Sequence, residues 1–217
     1  MTSRQARRLL AQGALAAALL AGAPRARADR TILSPCGTVV SPAAVKLEGA
    51  FRAERSGDSL LWLALGLPQQ DLGLEVEAEQ TSFGGVHRTG LSAQYSLTGN
   101  LLLDTPAPVV SVGVRDLLRS GREGQSFYFV AGKSIPVGGT QPFISDLRLN
   151  VGYGSSRLGG GFASAEAKFR PGFVASVEYL NRRLNAQVAL PLARFAQLRA
   201  YSLDGTVYYG AVVTLRK

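Results

Sequence analysis

Residues 72–81 read Leu-Gly-Leu-Glu-Val-Glu-Ala-Glu-Gln-Thr. Leu72, Leu74, Val76 and Ala78 alternate with Glu75, Glu77 and Glu79. Successive side chains of a strand leave opposite faces, so this stretch is a strand with one apolar and one acidic face. The same two-residue period recurs on both sides of it. Upstream, over 44–54, Val45, Leu47, Phe51 and Ala53 oppose Lys46, Glu48, Arg52 and Glu54. Downstream, Val110, Val112 and Val114 oppose Ser111, Gly113 and Arg115, and Leu147, Leu149, Val151 and Tyr153 oppose Arg148, Asn150 and Gly152. Ala163, Ala165, Ala167 and Phe169 oppose Ser164, Glu166 and Lys168, while Phe173, Ala175, Val177 and Tyr179 oppose Ser176 and Glu178.

Between these segments lie Gly, Pro, Asn and Asp turn signals: Ser56-Gly57-Asp58, Gly84-Gly85, Gly159-Gly160-Gly161, Pro171-Gly172, Asn181-Arg182-Arg183 and Asp204-Gly205. The expectation is an all-β, antiparallel up-and-down meander of about twelve strands, or ten if two hairpins are misread. Two runs resist the pattern. Residues 59–67 are apolar on both faces, and Phe127-Tyr128-Phe129-Val130 has no evident outward side. Residues 138–142 read as the longest connection.

Alternation alone fits either a soluble periplasmic β-sandwich or a transmembrane barrel, because the two differ only in what covers the apolar face. Strands of about 8–11 residues match a tilted spanning strand. Gly, Ala and Ser on the less apolar faces suit a narrow interior. Tyr95, Tyr153, Phe169, Tyr179 and Tyr209 fall toward strand ends, where an aromatic girdle sits. A transmembrane barrel in the outer membrane is therefore expected, with the periplasm as the alternative location. Its partners would be outer-membrane lipid and the barrel-insertion machinery.

The first residues have the organisation of an export signal. Arg4, Arg7 and Arg8 precede an apolar stretch from Leu9 to Ala21, and Ala26-Arg27-Ala28 places small residues at a cleavage site before Asp29. The expected layout is a signal peptide at 1–28, an extended segment at 29–43 and a barrel domain at 44–217. Five of the 24 basic residues and none of the 15 acidic ones lie in 1–28, leaving 19 against 15, or +4. With no basic stripe carrying interleaved aromatics, nucleic acid is not an expected partner. Leu33-Ser34-Pro35-Cys36 faintly resembles a lipoprotein acylation box; otherwise Cys36, the one cysteine, is a free thiol.

Residues 146–215 carry a resemblance to a family. Gly152-Tyr153-Gly154, Leu158 to Phe162, Phe173 to Tyr179 and Leu184 to Val188 resemble the repeated hairpins of YjbH-type outer-membrane proteins associated with exopolysaccharide export. The resemblance implies a short, single-barrel relative with polysaccharide or export components as partners, and supplies no catalytic residues.

The candidate site is a charge network inside the barrel: Lys46, Glu48, Arg52, Glu75, Glu77, Glu79, Arg115, Arg148, Glu166, Lys168 and Glu178. Charges facing inward must be paired or hydrated. The Glu75-Glu77-Glu79 row needs cations near it, and Lys46 and Arg52 are expected to reach it across a small lumen. The function expected is a structural or transport role in the cell envelope, with polysaccharide export as its setting. A small porin-like channel for ions or small solutes is the alternative. A lipid-modifying barrel enzyme would have to use His87, the one histidine, with Ser82 or Ser92 near in sequence. No acid is placed to orient that imidazole, and no enzymatic activity is expected. One histidine and one cysteine, 51 residues apart, do not supply the ligand set of a structural zinc site, and no metal or cofactor is expected. A soluble binding protein would follow from the sandwich alternative.

Overall fold

Twelve antiparallel strands form one continuous ring in the computed structural model, which describes residues 30–54, 57–67, 73–83, 86–98, 107–120, 124–137, 143–170 and 172–216. They are β1 Ala44–Arg52, β2 Ser59–Leu67, β3 Leu74–Phe83, β4 Val86–Ser96, β5 Val109–Arg115, β6 Ser126–Pro136, β7 Ile144–Gly154, β8 Gly160–Phe169, β9 Val174–Leu180, β10 Arg183–Ala193, β11 Ala196–Leu203 and β12 Thr206–Arg216. Each strand pairs with its neighbours in sequence, and β1 pairs with β12 from Ala44↔Arg216 to Arg52↔Tyr208, which closes the ring. Twelve strands and closure exclude both the ten-strand count and the two-sheet sandwich. The signal-like residues 1–28 lie outside the described residues, as do 138–142. By strand boundaries the β4–β5 connection, 97–108, is longer than the β6–β7 connection at 137–143.

Local chemistry accounts for the corners. Asn181 and Arg182 both take positive φ (50° and 61°) in the two-residue turn between β9 and β10, and Asp204 (50°) with Gly205 (77°) does the same between β11 and β12. Positive φ at both central residues is the hairpin turn that matches strand twist. A single 3₁₀ turn at Ser156–Leu158 joins β7 to β8. Pro191 sits beside a register shift in the β10–β11 pairing, near the mouth, where a missing N–H costs the ladder least.

The barrel is apolar outside. Leu47, Leu149, Val151, Val177, Val188, Leu190 and Leu198 face outward from strand middles and are exposed. Phe51, Phe127, Phe129, Tyr153, Tyr179 and Tyr209 ring the mouth at which β1 ends, with Phe129 and Tyr153 stacked 6.4 Å apart. Phe143, Leu192, Phe195 and the stacked pair Phe169–Phe173 mark the other mouth. A closed antiparallel ring leaves no unpaired edge, and an apolar belt between aromatic girdles is the surface lipid covers. The protein is an outer-membrane barrel.

The face of the Phe127–Val130 run is now assigned: Phe127 and Phe129 point out, Tyr128 and Val130 are buried inside. The doubly apolar strand β2 has a different explanation. Leu61, Leu65 and Leu67 meet the outside, whereas Leu60, Trp62 and Ala64 are buried. They are covered by chain lying within the barrel. Val40 and Ala44 pack with Trp62 and Ala64, and Ile32 packs with Ala50, Leu60, Tyr201 and Tyr208. Residues 30–41 therefore occupy the lumen.

Candidate functional site: the filled lumen

The inner segment leaves the start of β1 through a tight turn. The Ala44 N–H donates to the Ser41 carbonyl, the Ala43 N–H donates to the Gly66 carbonyl, and Ala43 takes a left-handed φ of 58°. From there the segment crosses the lumen toward the opposite mouth. It then doubles back at Thr31–Ser34, where the Thr31 N–H donates to the Ser34 carbonyl and Arg30 bridges Pro35. Arg30, Thr31, Ile32, Ser34, Cys36, Val39 and Val40 are all buried.

The barrel wall holds this segment mainly by its backbone. Glu178 Oε2 accepts the N–H groups of Ile32 (3.2 Å), Leu33 (2.9 Å) and Ser34 (2.7 Å), while Glu178 Oε1 accepts from Asn185 Nδ2 (2.9 Å). The Val40 N–H donates to Glu75 Oε2. The Gly37 N–H donates to Asn150 Oδ1 at 3.1 Å, and its carbonyl accepts from Ser111 Oγ at 2.6 Å. Gln94 Nε2 donates to the Cys36 carbonyl at 2.8 Å. Bonds to a carboxylate are the stronger kind, so Glu178 is the principal clasp.

Glycine makes room for this seat. A Cβ on Gly37 would lie 2.5 Å from the Gly132 nitrogen, and one on Gly66 would lie 2.1 Å from the Ser41 carbonyl oxygen. Neither clash is with a flexible side chain, so both positions need glycine for close approach.

The predicted charges take the following places. Glu48 pairs with Arg30 of the inner segment (3.2 Å) and with Arg199 of β11 (3.0 Å), and accepts from the Tyr201 hydroxyl at 2.6 Å. Lys46 Nζ lies 4.9 Å from the Trp62 ring centroid and the Arg30 guanidinium 4.2 Å from it, giving two cation–π contacts on one indole. The Trp62 indole N–H donates to Glu77 Oε2 at 3.2 Å. Arg148 pairs with Glu166 at 3.5 Å, and Lys168 aligns with Asp146 across β7 and β8. Arg115 is buried at the mouth end of β5.

Of the two cations expected to reach the glutamate row, Arg52 is engaged elsewhere. Arg52 turns to Asp58 of the β1–β2 connection at 3.0 Å, since that acid is six residues away on the adjoining turn. Glu79 is met by Arg157 of the 3₁₀ turn at 2.7 Å, Glu77 by Trp62, and Glu75 by the inner segment. Sequence reasoning missed Arg30, Trp62, Gln94, Asn150, Arg157, Arg199 and Tyr201. Arg199 had a usable signal, as an isolated cation on an otherwise apolar-alternating strand.

His87 lies exposed on β4 opposite Ser82 in register. Among the described residues, no hydrogen bond joins it to a serine or an acid, so no nucleophile is assembled there. Cys36 is a free thiol buried inside the barrel, 3.3 Å from Thr31 Oγ1, and not at a lipid-facing surface. Among the described residues no three His, Cys, Asp or Glu side chains could together hold a metal ion.

No family model matches the chain, and no curated protein matches it. Two solved structures have a similar shape. One, described as "KdgM porin", superposes with a TM-score of 0.50 at 10% identity, over 80% of this chain and 99% of that one. The other, described as "NanC porin structure in rhombohedral crystal form", gives 0.48 at 8% identity over the same shares. The first likeness supports the barrel fold. It does not support a specific resemblance to YjbH-type proteins.

Proposed function

We propose that this protein is a porin-like channel of the outer membrane for ions or small polar solutes, with its inward charges acting on whatever passes. The observation that carries the reading is the inside of the ring. A barrel that served only as a membrane anchor could fill its interior with apolar side chains. Here Glu48, Glu75, Glu77, Gln94, Ser111, Asn150, Ser164, Glu178 and Gln187 are turned inward and buried, at a desolvation cost that a dry core avoids. The KdgM porin shares the barrel shape at low identity. Polysaccharide export rests on the resemblance of residues 146–215 alone, and nothing in the lumen geometry adds to it.

Planar-bilayer recordings test the channel reading. The full chain and a variant lacking residues 30–41 are each reconstituted after heat-modifiable gel mobility has shown a folded barrel. Discrete conductance steps in either support a channel. Silence in both, from verified barrels, rejects it.

A further inference from the structure

We propose that residues 30–41 form a displaceable plug that closes the channel, and that its withdrawal leaves a passage preferring cations. This rests on the channel reading above and adds how the same lumen is regulated. Three observations carry it. First, the wall is complete without the segment: every strand has two paired neighbours, and β1–β12 closes the ring. Apart from the Ala43–Gly66 and Ala44–Ser41 bonds at the mouth, the hydrogen bonds reported above between segment and wall run through wall side chains. Withdrawal therefore breaks no ladder.

Second, the attachment has a pivot. The segment joins β1 through Ser41-Pro42-Ala43, a turn at the mouth, so residues 30–41 can swing out as one piece without moving Ala44. Third, two charged groups of the wall hold the residue 30–34 end, Glu178 through three consecutive N–H groups and Glu48 through Arg30, while Glu75, Gln94, Ser111 and Asn150 make single bonds along the rest of the segment. The two charged attachments lie toward the far end of the segment, away from the pivot, so releasing them frees its tip.

Charge sets the preference of the opened path. Withdrawal removes N–H donors from Glu178 and Glu75 and one of the two guanidinium partners of Glu48. It also takes the Arg30 charge out of the lumen. The vacated track is then lined by these three carboxylates and by neutral Gln94, Ser111, Asn150 and Ser164, with Lys46 and Arg199 as facing cations.

A reversible lock tests this in the full chain. The Thr31 and Ser164 hydroxyl oxygens are 2.6 Å apart, so sulfurs at the same places come within bonding reach. The variant is Thr31→Cys with Ser164→Cys, carrying Cys36→Ser because the native thiol lies 3.3 Å from the same position. It is oxidised with diamide and reduced again with a phosphine while conductance is recorded. Openings that vanish on oxidation and return on reduction are expected. The variant lacking residues 30–41 is expected to conduct continuously, with a reversal potential of cation sign in a KCl gradient. Equal conductance oxidised and reduced overturns the plug. Conductance only after deletion makes the segment a fixed part of the wall and overturns its displacement. An anion-signed potential overturns the preference. Silence of every form, including the deletion, rejects the channel reading itself and the plug with it.

Discussion

Arg30 and Glu48 are both removed from solvent, at 1% and 0% exposure, and form an ion pair at 3.2 Å across the boundary between inner segment and wall. The pair is one arm of a larger cluster, since Glu48 also holds Arg199 and Tyr201. A carboxylate between two buried guanidinium groups is a point where removing one member leaves uncompensated charge. Glu48→Gln is expected to lower barrel stability by about 3–5 kcal/mol, the range for breaking a buried pair from one side. Urea unfolding of the detergent-folded barrel measures it, and a shift below about 1 kcal/mol would mean that water already reaches the cluster.

Cys36 reports on the seating of the inner segment. It is fully buried, and it is the one cysteine of the chain. Glu178→Ala removes the acceptor of three N–H groups at the segment's turn. Bonds to a charged acceptor are worth about 1.5–3 kcal/mol each, and about 1.4 kcal/mol is tenfold in an opening equilibrium. Maleimide labelling of Cys36 is expected to accelerate at least about tenfold. An unchanged labelling rate would show that the clasp is not what keeps the segment in place.

Trp62 is the one tryptophan and is fully buried against two cations. Arg30→Ala removes one of them and opens the indole to water on that side. A cation–π contact is worth about 0.5–2 kcal/mol, more when desolvated. The emission maximum of Trp62 is expected to shift to the red, with increased quenching by acrylamide. An emission spectrum that keeps the wild-type position would place Arg30 elsewhere in solution.

Gly66→Val tests the fit rather than the charges. Its Cβ would sit 2.1 Å from the Ser41 carbonyl oxygen. The strand itself tolerates valine, which suits a pleated backbone. The expected outcome is a barrel that retains heat-modifiable mobility while Cys36 becomes reactive. Loss of the folded band would instead tie the inner segment to the integrity of the wall.

Val151 faces outward from the middle of β7, next to inward Asn150. Val151→Arg puts a charge where the apolar belt meets lipid, at an expected cost of about 2–4 kcal/mol near the midplane. Unfolding midpoints of the variant in lipid vesicles check it, with Val86→Arg at the rim as a milder control. Equal tolerance at both sites would contradict the placement of the belt.

The wall was legible in the sequence and the filling was not, for separate physical reasons. The wall is written in side-chain alternation, because each strand must show one face to lipid and the other to the lumen. The Glu75-Glu77-Glu79 row and the Asp204-Gly205 turn each point directly to their geometry. The inner segment carries no such period. Its residues are held through N–H and C=O groups that every residue has, so nothing distinguishes Ile32, Leu33 and Ser34 as partners of Glu178. Only one trace of it survived in the pattern, the strand β2 with apolar side chains on both faces. Leu60, Trp62 and Ala64 face inward, where water would otherwise be, and they imply something to lie against. Arg157 was missed for a different reason: the 3₁₀ turn that aims it at Glu79 replaces what reads as a plain glycine corner.

The joint between the inner segment and β1 has a consequence for assembly. Ala44 is at once the point where that segment ends and the residue opposite Arg216 in the last pairing of the ring. Zipping the seam and seating the segment are therefore distinct reactions that meet at one residue. If the Gly66→Val barrel keeps its folded mobility, a ring can be zipped yet empty, and on a denaturing gel such a molecule migrates as folded. Folded mobility by itself thus counts two species as one, and only a probe that reads the interior separates them.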